Sequence, residues 1–127
     1  MKIFSRELLI GKWYRSDTDE DGNLISEYAE IAADGSFEFS FFYHNSSGEI
    51  TKQFIELGDW GLVGDIHFTM TKSEFIEDEH FAVDLADPEN YHAYQVLELN
   101  SQVFKYQHVV TKEIFLLRRL LNDVGNC

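Results

Sequence analysis

Ser36-Phe37-Glu38-Phe39-Ser40-Phe41-Phe42-Tyr43-His44 is the stretch that decides the fold. Phe37, Phe39, Phe41 and Tyr43 fall on one side of an extended chain; Ser36, Glu38 and Ser40 fall on the other. Successive side chains of a strand point to opposite faces, so this alternation marks a strand with one buried face. Asp34-Gly35 precedes it and Ser47-Gly48 follows it. Such pairs adopt the positive φ angles that tight hairpins demand. Asp21-Gly22, Gly64-Asp65 and Asn100-Ser101 punctuate the chain in the same way, and two longer breaks lie near 72–90 and 110–112. Seven breaks predict eight strands, near 10–16, 24–33, 36–44, 50–62, 65–72, 91–99, 102–109 and 113–120.

The other runs carry their own parity. Ile66, Phe68 and Met70 oppose Asp65, His67 and Thr69, which assigns the apolar set to the interior. Phe104, Tyr106 and His108 oppose Lys105 and Gln107, while Ile25, Ala29 and Ile31 share a face with Glu27. Ile114 and Leu116 alternate with Phe115 and Leu117, so both faces of the last strand are apolar. The N-terminal stretch from Phe4 to Ile10 is expected to cover one of them. Asp87-Pro88-Glu89 fits a helix start, with Asp87 capping and Pro88 at the first position. Eight sequential antiparallel strands leave two exposed edges, and closing the sheet removes them. The expected fold is therefore all-β, an eight-stranded antiparallel up-and-down barrel preceded by a short N-terminal helical segment. A two-sheet sandwich is the rival, but it needs long crossovers and only 72–90 is long enough.

The chain has 127 residues, which suits one domain spanning 1–127. Its 11 Phe, 6 Tyr and 2 Trp are too many for a disordered chain. Ten Lys and Arg against 23 Asp and Glu leave a net charge of −13, which argues against nucleic acid as a partner. No Lys or Arg occurs from Ser73 to Phe104. No apolar run approaches the roughly 18 residues of a membrane span. The N-terminus lacks the apolar core of a signal peptide, and Cys127 is a lone cysteine, so a cytoplasmic location is expected.

Several candidate chemistries can be weighed. Asp17-Thr18-Asp19-Glu20-Asp21-Gly22 matches the first half of a calcium loop, but the position that needs a bidentate Glu is Tyr28. An acidic turn between two strands is the simpler reading. None of the five histidines, His44, His67, His80, His92 and His108, shows zinc-site spacing. His108 shares a face with Phe104 and Tyr106 and would orient a ligand or shuttle a proton if that face is inward. Nucleophile motifs and phosphate loops are absent.

Read in order, several short motifs resemble a known family. They are Gly11-Lys12-Trp13, Asp34-Gly35-Ser36-Phe37, Gly58-Asp59-Trp60-Gly61, Tyr94-Gln95-Val96-Leu97 and Leu117-Arg118-Arg119. Over about residues 8–120 the chain resembles the small lipocalin-like domains of the calycin superfamily. The resemblance implies that Trp13 sits at a closed barrel end, crossed by Arg118 or Arg119. It differs from secreted lipocalins in lacking a signal peptide and disulfides, and Leu121 to Cys127 are too few for their C-terminal helix. The role expected is non-catalytic binding of a small apolar or aromatic molecule at the open end. The binding residues would be Phe39, Phe41, Tyr43, Phe68, Tyr94, Tyr106 and His108, with no catalytic residue, cofactor or metal. These aromatics either line a pocket or fill the barrel. Two alternatives remain. One is a filled-barrel interaction module using its acidic surface or the Asp17–Asp21 loop; the other is a barrel enzyme with His108 and Tyr106 as acid–base groups.

Overall fold

A computed structural model describes residues 2–120. The expectations for Leu121 to Cys127, including Cys127 itself, lie outside the described residues. Helix α1 (Arg6–Leu9) leads into β1 (Gly11–Thr18), β2 (Leu24–Ile31), β3 (Ser36–His44), β4 (Ile50–Val63) and β5 (Ile66–Ile76). There follow β6 (Glu79–Ala82), a single 3-10 turn (Pro88–Asn90), β7 (Tyr91–Leu99), β8 (Val103–His108) and β9 (Ile114–Arg119). Eight strands close into an antiparallel barrel, each pairing with its neighbour in the ring. β5 pairs with both β4 and β7, and β9 returns to β1. The expected barrel is the one observed, with the short N-terminal helix in place. Asp87 caps the 3-10 turn by accepting from the Glu89 amide at 3.0 Å. No helix among the described residues is long and apolar enough to cross a membrane.

Two expectations about the strands are corrected. The stretch expected to be an irregular break after residue 72 holds a hairpin: β5 runs on to Ile76, and β6 folds back onto Ser73–Ile76. Its turn is made by Glu77 and Asp78, both at positive φ (50° and 72°). A left-handed pair without glycine or asparagine carries no strong turn signal, so the sequence hides it. The second correction concerns β9. Ile114 and Leu116 stay exposed, and α1 does not cover them. Instead α1 plugs one end of the barrel with Leu9, which is fully buried.

That plugged end holds the core. Leu9, Trp13, Ile31, Phe37, Trp60, Leu99, Phe104 and Leu117 are buried together. Two hydrogen bonds tie the indoles to backbone: Trp13 Nε1 donates to the Leu9 carbonyl and Trp60 Nε1 to the Ala32 carbonyl, both at 2.9 Å. Arg119, not Arg118, crosses Trp13. Its guanidinium lies 4.0 Å from the indole centroid. It donates to the carbonyls of Leu8, Ile10 (2.6 Å) and Ser101 (3.0 Å). Gly11 passes beneath it at φ +137°, where a Cβ would stand 2.3 Å from a guanidinium nitrogen.

The planar fork of arginine makes these contacts and a lysine ammonium cannot reproduce them. Arg119→Lys is therefore expected to lower unfolding stability by about 1–3 kcal/mol. Arg118→Lys, on the exposed side, is expected to change it by no more than about 0.5 kcal/mol. Urea unfolding of the two variants checks the contrast.

Candidate functional site

Above the core the barrel is not filled. A cavity of about 210 Å³ lies between the strands, lined in part by Phe39 and Phe41 from β3 and by Tyr94, Tyr106 and Phe115 from β7, β8 and β9. Its other walls are polar: Arg15 (β1), Glu27 (β2), Glu56 (β4), His67 and Thr69 (β5), and His92 (β7). Register explains the set. Arg15 pairs with Glu27, Glu27 with Phe41, Phe39 with Glu56, Thr69 with His92 and His67 with Tyr94. Directly opposed residues share a face, so each ladder carries one inward side chain to the next.

Beside the cavity the wall has a second opening. β1 and β9 pair only through Trp13↔Arg119 and Tyr14↔Arg118. Beyond these pairs a cleft of about 380 Å³ lies between Ser16 and Asp17 on one side and Glu113 to Leu116 on the other. Arg15 and Phe115 line both spaces.

The charged groups sort by partner. Arg15 Nε reaches Glu27 at 2.6 Å, and a second guanidinium nitrogen reaches Asp17 at 2.8 Å. Burial pushes the Glu27 carboxyl up, and Arg15 opposes that shift. Among the described residues Glu56 has no such partner. Burial, then the nearby charges of Glu74 and Glu27, push it up to about 7. His67 is 2% exposed and packed among Trp60, Tyr94, Phe104 and Tyr106 at 5.5–6.2 Å between ring centres. Its Nδ1 has no hydrogen-bond partner. Burial holds its pKa down at about 4, so the ring is neutral. Burial also raises the Tyr94 and Tyr106 phenols, which stay protonated.

The predicted binding residues divide into four groups. Phe39, Phe41, Tyr94 and Tyr106 meet at the cavity. Tyr43 lies farther along β3 and stacks on Phe54 at 5.9 Å, away from the cavity lining. His108 is engaged at both ring nitrogens. Its Nδ1 accepts from the Val110 and Thr111 amides at 3.0 and 3.2 Å, so a neutral ring carries its proton on Nε2. That nitrogen lies 3.1 Å from His92 Nδ1 and donates to it. Phe68 is on the outside, 44% exposed. The expected parity of β5 is thus reversed: His67, Thr69 and Thr71 are buried inward, and Ile66, Phe68 and Met70 face out. The ring of Phe68 covers Gly61, its cross-strand partner, where a Cβ would come within 2.2 Å of it.

That reversal hid His67 and Thr69, and no pattern in the sequence singled out Arg15 or Glu56. Glu27 carried a signal, as an acid on the apolar face of its strand. In the Asp17–Asp21 loop, Asp19 accepts from the amides of Asp21 and Asn23 at 2.9 Å, a turn-forming arrangement. Among the described residues no three His, Cys, Asp or Glu side chains are placed to hold a metal.

Against solved structures the chain matches a lipocalin-like protein from Bacteroides uniformis. The match covers 89% of this chain and 99% of that one, with TM-score 0.52 and 16% sequence identity. The fold is lipocalin-like. No protein-family model and no curated protein sequence matches the chain. A lipocalin-like barrel has a closed end and an open end, and here Trp13 and Arg119 mark the closed one.

The two perturbed groups give opposite pH dependences. Glu56 holds its proton more tightly folded than unfolded, so its contribution favours folding at low pH and is lost between about 4.5 and 7. His67 refuses a proton that the unfolded chain accepts, so stability is lost as pH falls from 6.5 toward 4. Glu56→Gln is expected to stabilise the fold at pH 8 by about 1–2 kcal/mol after allowance for solvent screening, and hardly at pH 4.5. His67→Phe is expected to flatten the acid limb. Melting temperatures across pH 4 to 8.5 check both.

Proposed function

We propose that this barrel binds a small molecule non-covalently, with the apolar or aromatic body of the ligand between Phe39, Phe41, Tyr94, Tyr106 and Phe115. The carrying observation is the cavity of about 210 Å³, which joins aromatic walls to polar groups that lack partners. Binding sites are concave, largely apolar and fitted with a few polar anchors. This interior has that character, and its volume suits a ligand of one or two rings. The open interior favours this reading over an interaction module with a filled barrel. The engagement of both His108 nitrogens favours it over acid–base chemistry at His108 and Tyr106.

Native mass spectrometry of the protein purified from its own cells is expected to show a retained small molecule. Thr69→Phe, which places a ring in the cavity, is expected to abolish the retained mass while the barrel stays folded. A compound library in thermal-shift format provides the second readout. A ligand present at about 100 times its Kd adds roughly 2.7 kcal/mol and several degrees to the melting temperature. A bare apo mass, together with no stabilising compound of one or two rings, would overturn the reading.

A further inference from the structure

The cavity's charges are unbalanced. Among the described residues Arg15 is the only lysine or arginine that lines it, and Glu27 and Asp17 take its Nε and one terminal nitrogen at 2.6 and 2.8 Å. Two carboxylates thus offset the single charge of Arg15, which disfavours an acidic ligand. Glu56 lines the same cavity and has no ion pair among the described residues. Directly opposite it on the β4–β5 ladder is a second acid, Glu74. Like charges placed opposite one another weaken a sheet, so this pair adds nothing to the stability of the empty barrel. A cation beside Glu56 removes the repulsion.

An independent observation points to the same space. His67 is buried, lines the cavity and leaves Nδ1 without a partner. That nitrogen is enclosed by protein atoms, so a ligand's polar group that displaces the wall to reach it gains a hydrogen bond the empty barrel lacks. The aromatic walls add a third preference, because ring faces attract cations and desolvation strengthens the attraction. A metal ion does not suit the site, since no three ligating side chains converge among the described residues.

Resting on the binding reading above, we infer that the ligand class is an organic cation: an aromatic ring bearing an ammonium group, with the ammonium held at Glu56 and the ring between Phe39, Phe41 and Tyr94. The pairing is charge-assisted and sits in a partly desolvated space, where such hydrogen bonds are strongest.

The test is calorimetric titration at pH 8 with three probes of one shape and different charge: phenethylamine, phenethyl alcohol and 3-phenylpropionate. Wild-type protein is expected to bind the amine at least about tenfold tighter than the alcohol and to bind the carboxylate weakest of the three. In Glu56→Gln the preference for amine over alcohol is expected to collapse to about onefold, with alcohol affinity kept as the internal check on folding. Should that variant fail to fold, Glu74→Gln is expected to reduce the preference by about threefold. If the alcohol or the carboxylate binds as tightly as the amine, the cation assignment is wrong while the barrel still binds small molecules. If none of the three binds at millimolar concentration, the cation assignment is also wrong, and the native mass spectrum judges the broader reading separately.

Discussion

One guanidinium closes this molecule. Arg119 stands over Trp13 and donates to carbonyls of Leu8, Ile10 and Ser101, so it joins the last strand to the N-terminal segment and to the β7–β8 turn. The same residue supplies one of the two pairs by which β9 meets β1. Ring closure through so short a ladder would be weak on its own. The carbonyls satisfied by Arg119 belong to backbone that turns around the end of the barrel, where a strand partner is not available. Gly11 is glycine because any side chain there would meet the guanidinium.

With one end sealed, the barrel separates two kinds of interior. At the plugged end, Leu9, Trp13, Phe37, Phe104 and Leu117 pack as an ordinary apolar core. Above it the inward positions include Arg15, Glu27, Glu56, His67, Thr69 and His92. Placing ionisable groups indoors is unfavourable unless they are paired, and among the described residues Arg15 and Glu27 form the one ion pair within this set. Burial raises Glu56 and lowers His67, so both lean toward their neutral forms. The proposed binding role rests on this stretch of interior, which combines polar groups with an open volume.

Much of this was legible in advance. The alternation at Phe37, Phe39, Phe41 and Tyr43, and the turn pairs around it, led to the eight-stranded ring and most of its boundaries. Phe39, Phe41 and Tyr106 were placed on an inward face by parity, because in their strands the apolar face is the inward one. The same rule failed on β5, whose inward residues are His67, Thr69 and Thr71. Alternation shows that two faces differ but not which of them is inside. The β5–β6 hairpin was missed for a related reason: Glu77 and Asp78 take a left-handed turn without a glycine to announce it.

The sequence by itself determined the strand periodicity and most of the turns, because these depend on neighbours along the chain and on the two-residue repeat of a strand; the closing tryptophan followed from the resemblance to lipocalin-like domains. Only the tertiary structure decided that Arg119 and not Arg118 crosses Trp13, that Phe68 looks outward, and that Glu56, paired with Glu74 on the β4–β5 ladder, lines an aromatic cavity. Those outcomes depend on register between strands far apart in sequence, and a shift of one residue reverses every side chain. They depend also on volume: whether inward side chains meet or leave space is set by all eight strands together.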